Sequence, residues 1–246
     1  MSFRPGTDNP ISNTKTYHMK KTAFILAALL TGASLTADEA ASSYSITADV
    51  TYATKYVFRG VQYAEGAFQP SVKLTTGDFY AGIWGSAPID NGYELEIDYY
   101  AGYGFKLQDG WALDLGATVY SYPGLNGAGV DKATFEPYLG LNGSFGAVTS
   151  ATYAYYDTTL EVFTAQQTFG YAVPIDDKTS VNFSATLGHA NPSGGDGYTY
   201  YGIGATVPFK LSDKATVTVG AQWASHDLDG VDDGHLWGTL GFTYAF

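Results

Sequence analysis

Hydrophobic and polar residues alternate along most of this chain. The clearest example lies at residues 93–107, where every second side chain is apolar or aromatic: Tyr93, Leu95, Ile97, Tyr99, Ala101, Tyr103, Phe105 and Leu107. The positions between them carry Glu94, Glu96, Asp98 and Lys106. Because successive side chains of a strand point to opposite faces, this segment predicts a β-strand with one apolar and one polar face.

The same alternation recurs in about twelve segments, which clusters of Gly, Asp, Asn and Ser separate. The predicted strands are 44–58, 68–76, 78–87, 93–107, 111–122, 133–143, 147–157, 160–173, 178–190, 197–209, 213–225 and 235–246. Tight turns at 77, 108–110, 143–146, 174–177 and 210–212 alternate with longer connections at 59–67, 121–132, 189–196 and 226–234, and 87–92 is intermediate. Short periplasmic turns and longer extracellular loops are typical of outer-membrane barrels. The sequence therefore predicts an all-β fold, a transmembrane antiparallel up-and-down β-barrel.

The last predicted strand has a face formed by Leu236, Leu240, Phe242, Tyr244 and Phe246. A terminal strand that closes on Phe resembles the signal by which outer-membrane barrels are handed to the barrel assembly machinery, so we assign Phe242, Tyr244 and Phe246 to that signal. The alternative is a secreted soluble β-sandwich or lipocalin-like barrel, whose apolar face would be its core. That alternative does not explain the many aromatic residues at strand ends.

The N-terminal region predicts export. Met19, Lys20 and Lys21 form a short positive region, and residues 22–30 are an apolar run too short to span a bilayer as a helix. We interpret residues 19–37 as a signal peptide, residues 1–18 as a leader that is non-native or misassigned, and residues 38–246 as one outer-membrane barrel domain. The predicted location is the bacterial outer membrane.

Charge and composition exclude some classes of partner and of stabilising bond. Removing residues 1–37 removes four of the 12 basic and one of the 24 acidic residues, which takes the net charge from −12 to −15. Such a charge disfavours nucleic acid as a partner. The chain has no cysteine, so no disulfide framework holds the fold. No motif predicts a cofactor.

The inward positions of the alternation define a predicted pore lining. Its charged members are Asp49, Lys73, Glu94, Glu96, Asp98, Lys106, Asp114 and Glu136. Acids outnumber bases six to two, which favours cations or polar neutral solutes. About twelve strands lies between small barrels that side chains fill and wide porins. The alternative is therefore a lumen that these carboxylates, the two lysines and inward tyrosines plug.

Arg59 lies where the first predicted strand enters its first predicted loop, near Lys55. Folded inward toward the acids of the fourth strand, it would form a constriction that carries both charges. The alternative is an Arg59 that pairs with a lipid phosphate or a loop carboxylate at the rim.

The loop at 226–235 concentrates oxygen ligands and two imidazoles, but its spacing does not match an EF-hand, and we predict no metal site. Catalytic motifs are lacking as well. Ser225 and Asp227 flank His226, yet sequence neighbours on a strand point to opposite faces, so they do not form a ready triad. We predict no catalytic residues and no enzyme activity. A third possibility is an adhesin or structural barrel with a closed lumen, which acts through its extracellular loops.

Three blocks of the chain resemble a known family. They are YVFRGVQ at 56–62, FYAGIWGS at 79–86 and ELEIDYYAGY at 94–103, and in this order they are similar to the TorF family of porins. The resemblance implies an outer-membrane barrel. We expect outer-membrane lipid, lipopolysaccharide and small polar solutes as its partners. Oligomerisation is possible, but an apolar outer face suits lipid and a neighbouring barrel equally, so the pattern does not decide it.

Overall fold

Twelve antiparallel strands form the described part of the chain, which covers residues 44–125 and 131–246 of a computed structural model. The strands are β1 (Ser45–Phe58), β2 (Val61–Thr76), β3 (Phe79–Pro88), β4 (Glu96–Lys106), β5 (Ala112–Ser121), β6 (Ala133–Phe145), β7 (Val148–Asp157), β8 (Val162–Pro174), β9 (Ser180–Pro192), β10 (Tyr198–Lys210), β11 (Ala215–His226) and β12 (His235–Ala245). A single 3-10 turn, Gln108–Gly110, follows β4. The predicted leader at 1–18 and signal peptide at 19–37 lie outside the described residues.

Each strand pairs with its sequence neighbours, and β12 pairs with β1, so the sheet closes into a barrel without a free edge. This confirms the predicted fold class. Closure satisfies the backbone N–H and C=O groups between strands, as a sheet in lipid requires. In the described ranges, no helix is long and apolar enough to cross a membrane.

The two faces of the wall differ as the alternation predicts. Apolar side chains on the outer face are about half exposed, with examples in Val72, Ile83, Leu139, Leu187 and Leu240. Exposed aromatic residues stand on this face toward both ends of the strands: Phe135, Tyr156, Phe163 and Tyr201 at one end, and Phe79, Tyr103, Phe145, Tyr171 and Phe209 at the other. An apolar band between two aromatic girdles is the surface that a bilayer covers. The protein is an outer-membrane barrel.

The connections are longer at the end opposite the described termini, where extracellular loops lie in such barrels. The predicted long connection at 59–67 is wrong, because β2 already begins at Val61 and only Arg59 and Gly60 join it to β1. Both residues have positive φ, 45° and 82°, as in a type I′ hairpin turn. The β1–β2 register shifts between Tyr56 and Val57, and such a bulge re-aims the residues that follow it.

Candidate functional site

The lumen of the barrel collects the polar inward side chains and is the candidate site. In its half nearer the described termini, Asp49, Lys73 and Tyr80 are half-buried, whereas Asp114 is buried. Asp49 of β1 accepts a short hydrogen bond from Ser71 of β2. Lys73 of β2 places its ammonium 5.0 Å from the ring centre of Tyr80 on β3, a cation–π contact. Both predicted lining residues therefore face the lumen.

Asp114 of β5 is the centre of a tyrosine network on one wall. The Tyr80 hydroxyl lies 2.8 Å from Asp114 Oδ1, and Tyr153 Oη on β7 donates to Asp114 Oδ2 at 2.8 Å. Tyr138 of β6 lies 2.6 Å from Tyr80 Oη, and Asn142 donates to Tyr153. Hydrogen bonds thus join side chains of the four strands β3, β5, β6 and β7, which holds these side chains in one arrangement.

A close approach between strands seats one of these rings. A Cβ built on Gly102 of β4 would lie 2.3 Å from Tyr80 Oη, so the ring of Tyr80 packs directly on the glycine. Any residue larger than glycine at position 102 would displace the ring of Tyr80. The glycine therefore sets the orientation of Tyr80 toward Asp114.

The half of the lumen nearer the loops contains a layer of buried side chains. Phe58, Arg59, Ala64 and Tyr120 there are at most 4% exposed. The apolar part of this layer joins the β1–β2 hairpin to β8 and β9: Tyr56, Phe58, Ala64, Ala67, Val162 and Ala190. The hairpin tip therefore folds over the bore and packs on the far wall.

Arg59 bridges the bore within this layer. Its Nη2 donates to Oε1 of Glu136 on β6 at 3.1 Å, and its Nη1 donates to Oε2 of the same carboxylate at 3.3 Å. Nη1 also donates to Thr164 Oγ1 of β8 at 2.8 Å. The guanidinium carbon lies 4.6 Å from the ring centre of Tyr155 on β7. Both side chains of the ion pair are 1% exposed.

The direction of Arg59 differs from the predicted one. We expected it to turn toward the acids of β4, or to pair at the rim. Its contacts are instead with β6, β7 and β8, on the other side of the bore. Lys55 is the residue at the rim, where it donates to Gln62 at 3.0 Å and lies 3.8 Å from Glu65.

Gly60 permits the inward turn of the hairpin. It has a φ of 82°, and a Cβ at this position would lie 2.7 Å from the backbone oxygen of Ser225. A side chain would therefore meet both backbone strain and the wall of β11.

Three of the remaining acids of the predicted lining lie among the buried side chains nearer the loops. Glu96 and Asp98 of β4 and Glu136 of β6 are fully buried in the layer nearer the loops, at 2%, 0% and 0% exposure. Tyr122 donates to Glu96 at 3.2 Å, and Tyr120 donates to Glu136 at 2.8 Å. Burial of this many carboxyl groups is costly unless each has a partner.

Two residues of the predicted lining, Glu94 and Lys106, lie outside the lumen of the barrel. Glu94 is exposed in the connection before β4, because β4 begins at Glu96 and not at residue 93. Lys106 ends β4 with an 82% exposed side chain and pairs with Asp78 at 2.8 Å, so it lies at the mouth nearer the termini.

Asp157, at the loop end of β7, is a further inward-facing acid that the sequence pattern did not identify. It is fully buried, and its Oδ1 accepts hydrogen bonds from the backbone N–H groups of Thr159 and Leu160. Asp157 lies two positions after Tyr155 and four after Tyr153, so all three side chains face the same side of β7.

The histidines near the loops contact backbone groups of the connection before β12. His226 Nε2 and His235 Nε2 both contact the backbone oxygen of Asp232, at 3.1 and 3.0 Å. Ser225 Oγ donates to Asp233 Oδ2 at 3.4 Å and not to a histidine. Within residues 44–125 and 131–246, no three His, Asp or Glu side chains are grouped so as to hold a metal ion.

The residues of the predicted assembly signal lie at the end of the closing strand. Phe242 and Phe246 are 42% and 70% exposed, and the ring of Tyr244 lies 5.0 Å from that of Phe246. The Phe246 backbone N–H donates to Ile46 of β1 at 2.9 Å, which anchors the end of the chain to the first strand.

Solved structures share this fold. The structure titled "KdgM porin in complex with disordered oligogalacturonate" matches with a TM-score of 0.56 and 11% identity, over 82% of this chain and 99% of that chain. The NanC porin matches with a TM-score of 0.52 and 12% identity, over 81% and 98% of the two chains. At such identities the likeness establishes the fold. A search of curated proteins returns no match. A family model described as "Bacterial protein of unknown function (Gcw_chp)" matches residues 37–232, and the chain therefore belongs to this family.

Proposed function

We propose that this protein is an outer-membrane channel for the passive diffusion of small polar or cationic solutes, with the Arg59–Glu136 pair as its constriction. The excess of buried acid carries the proposal. Among the buried residues of the described ranges, five are Asp or Glu (Glu96, Asp98, Asp114, Glu136 and Asp157), and Arg59 is the single Lys or Arg. A lumen lined with carboxylates attracts cations and repels anions.

The half of the lumen below the constriction supports passage of a polar solute. Its walls present Asp49, Lys73 and Tyr80 together with hydroxyl and amide side chains such as Gln166 and Thr186. A cavity lined partly by Arg59, Gln166 and Thr186 adjoins the constriction. A solute that crossed the Arg59 layer would thus meet polar groups on its path.

The charge of the lumen also bears on which solutes are favoured. The KdgM structure is titled as a complex with oligogalacturonate, which is an anionic saccharide. Carboxylates that outnumber basic side chains would repel such a solute. We therefore favour neutral or cationic cargo for this chain in spite of the shared fold.

A closed barrel that acts through its extracellular loops is the second candidate. The dense packing of Phe58, Arg59 and Ala64 at the loop end favours it, because these side chains leave little surface to water. Such a barrel would act as an adhesin or a structural protein. Liposome swelling separates the two candidates, since solute uptake requires an open lumen.

Several partners belong to the same proposal. The exposed aromatic Phe246 at the end of β12 supports recognition by the barrel assembly machinery, and the acidic loop at 227–234 would face lipopolysaccharide. We retain the TorF assignment as a proposal on the three sequence blocks.

Reversal potential in a salt gradient across a planar bilayer tests the channel. The proposal expects a potential biased to the cation. A potential of zero, or one biased to the anion, would exclude an acidic filter.

A further inference from the structure

Two buried carboxyl groups on β4 have no counter-charge of their own. Glu96 and Asp98 both point into the lumen, at 2% and 0% exposure, and their carboxyl groups interact with each other. Glu96 accepts a hydrogen bond from Tyr122. Neither Asp98 oxygen meets the geometry of a hydrogen bond to another strand in the described structure, and its polar neighbour is the carboxyl group of Glu96. Apart from Glu96, no described side chain satisfies the oxygens of this fully buried acid.

Ser86 on β3 supplies a third buried oxygen beside Glu96. Ser86 pairs in register with Glu96, so the two inward side chains lie side by side. Its hydroxyl is 1% exposed and has no hydrogen-bond partner in the described structure. Buried polar groups are nearly always satisfied, and those that are not require an explanation such as an unseen ion or water. Ser86 is an observation independent of the two acids.

The basic group of this layer does not neutralise the pair. Arg59 uses both terminal nitrogens on Glu136 and Thr164, on the other side of the bore. Burial of two carboxylates in contact without a positive charge is strongly unfavourable. A proton shared by the two carboxyl groups or a bound cation would remove this cost, and the cation would also give the Ser86 hydroxyl a partner.

We infer that Glu96, Asp98 and Ser86 form a binding site for a hard divalent cation of the calcium class. All the donors are oxygen, which suits hard cations and disfavours the softer transition metals. Two carboxylates match a double positive charge, and the tolerant coordination of Ca²⁺ suits a site built from two acids and a hydroxyl. The site lines the proposed channel, but cation binding does not require that the channel conducts.

Calorimetric titration of the refolded chain in detergent with CaCl2 tests this site. We expect one saturable site, and a dissociation constant weakened at least about tenfold in Asp98→Asn and in Glu96→Gln. The matched control is Asp229→Asn/Asp232→Asn, which removes exposed acids from the loop at 227–234 and should leave the constant unchanged. Heat-modifiable migration in gels checks that each variant is folded.

Two outcomes would overturn the inference. One is a wild-type chain that takes up no Ca²⁺, a result that needs no variant to fold. The other is binding that Asp98→Asn retains and the loop variant loses, which would move the cation to the loop. Conductance recorded from the same preparation keeps the two proposals apart, because a channel that conducts without binding Ca²⁺ contradicts only the cation site.

Discussion

Arg59 and Glu136 lie 77 positions apart in sequence and meet inside the barrel at 3.1 Å. Arg59 follows β1, and Glu136 belongs to β6, five strands away around the ring of twelve. The contact therefore crosses the bore instead of following the wall. The β1–β2 hairpin is joined to the far wall by a charge pair and by apolar packing.

This relationship predicts an unequal response to removal of one or both partners. Arg59→Met should lower the free energy of unfolding by about 3–5 kcal/mol, because it leaves a buried carboxylate without its positive partner. Arg59→Met/Glu136→Leu should cost less, since no unpaired charge remains. Urea unfolding in lipid vesicles, followed by tryptophan fluorescence, measures both values.

Lys55→Met is the matched control for the pair. Lys55 lies 3.8 Å from Glu65 at the rim, with side chains 30% and 50% exposed. An exposed pair of this kind contributes at most about 1 kcal/mol. Equal costs for Arg59→Met and Lys55→Met would show that the buried pair has no special role.

The tyrosine network predicts a position-specific effect on β4. Gly102→Ala should displace Tyr80 from its seat and break its hydrogen bonds to Asp114, at a cost of about 1–3 kcal/mol. Gly104→Ala is the control on the same face of the same strand, where a new Cβ would have no atom nearer than 3.9 Å. Urea unfolding of the two variants gives the comparison, and an equal effect at both glycines would contradict the assigned seat.

Asp114 is predicted to contribute to ion preference below the constriction. Asp114→Asn should reduce the cation bias of the reversal potential, because it removes a negative charge from the lumen wall. Tyr103→Phe should leave the bias unchanged, since this ring is on the outer face and 43% exposed. Planar-bilayer recordings in a salt gradient measure the shift. A larger shift for Tyr103→Phe than for Asp114→Asn would exclude Asp114 from the ion path.

The sequence pattern predicted the wall of the barrel well. On β4, alternation alone assigned Ile97 and Tyr99 to lipid and Asp98 to the lumen, because a period of two follows from strand geometry. It failed at residues 61–67, where the small residues Ala64 and Ala67 are buried by the inward hairpin and the alternation is weak. We therefore interpreted the start of β2 as a loop.

The cross-lumen contacts could not be predicted in the same way. A strand pattern shows which side chains point inward, but it carries no distance between walls, so it does not identify Glu136 of β6 as the partner of Arg59. The register shift between Tyr56 and Val57 has no clear sequence signature either. Asp157 is the last residue of β7, and a strand pattern does not show whether the end of a strand is buried or belongs to an exposed loop.

The most direct test of the channel and its constriction is single-channel conductance of the wild type, Arg59→Ala and Lys55→Ala in planar bilayers. We expect cation-biased steps from the wild type and steps several-fold larger from Arg59→Ala, because loss of the guanidinium opens the bridge across the bore and makes it more negative. Lys55→Ala, at the rim, should resemble the wild type. Unchanged conductance in a folded Arg59→Ala barrel would contradict the constriction, and silence from all three would contradict the channel.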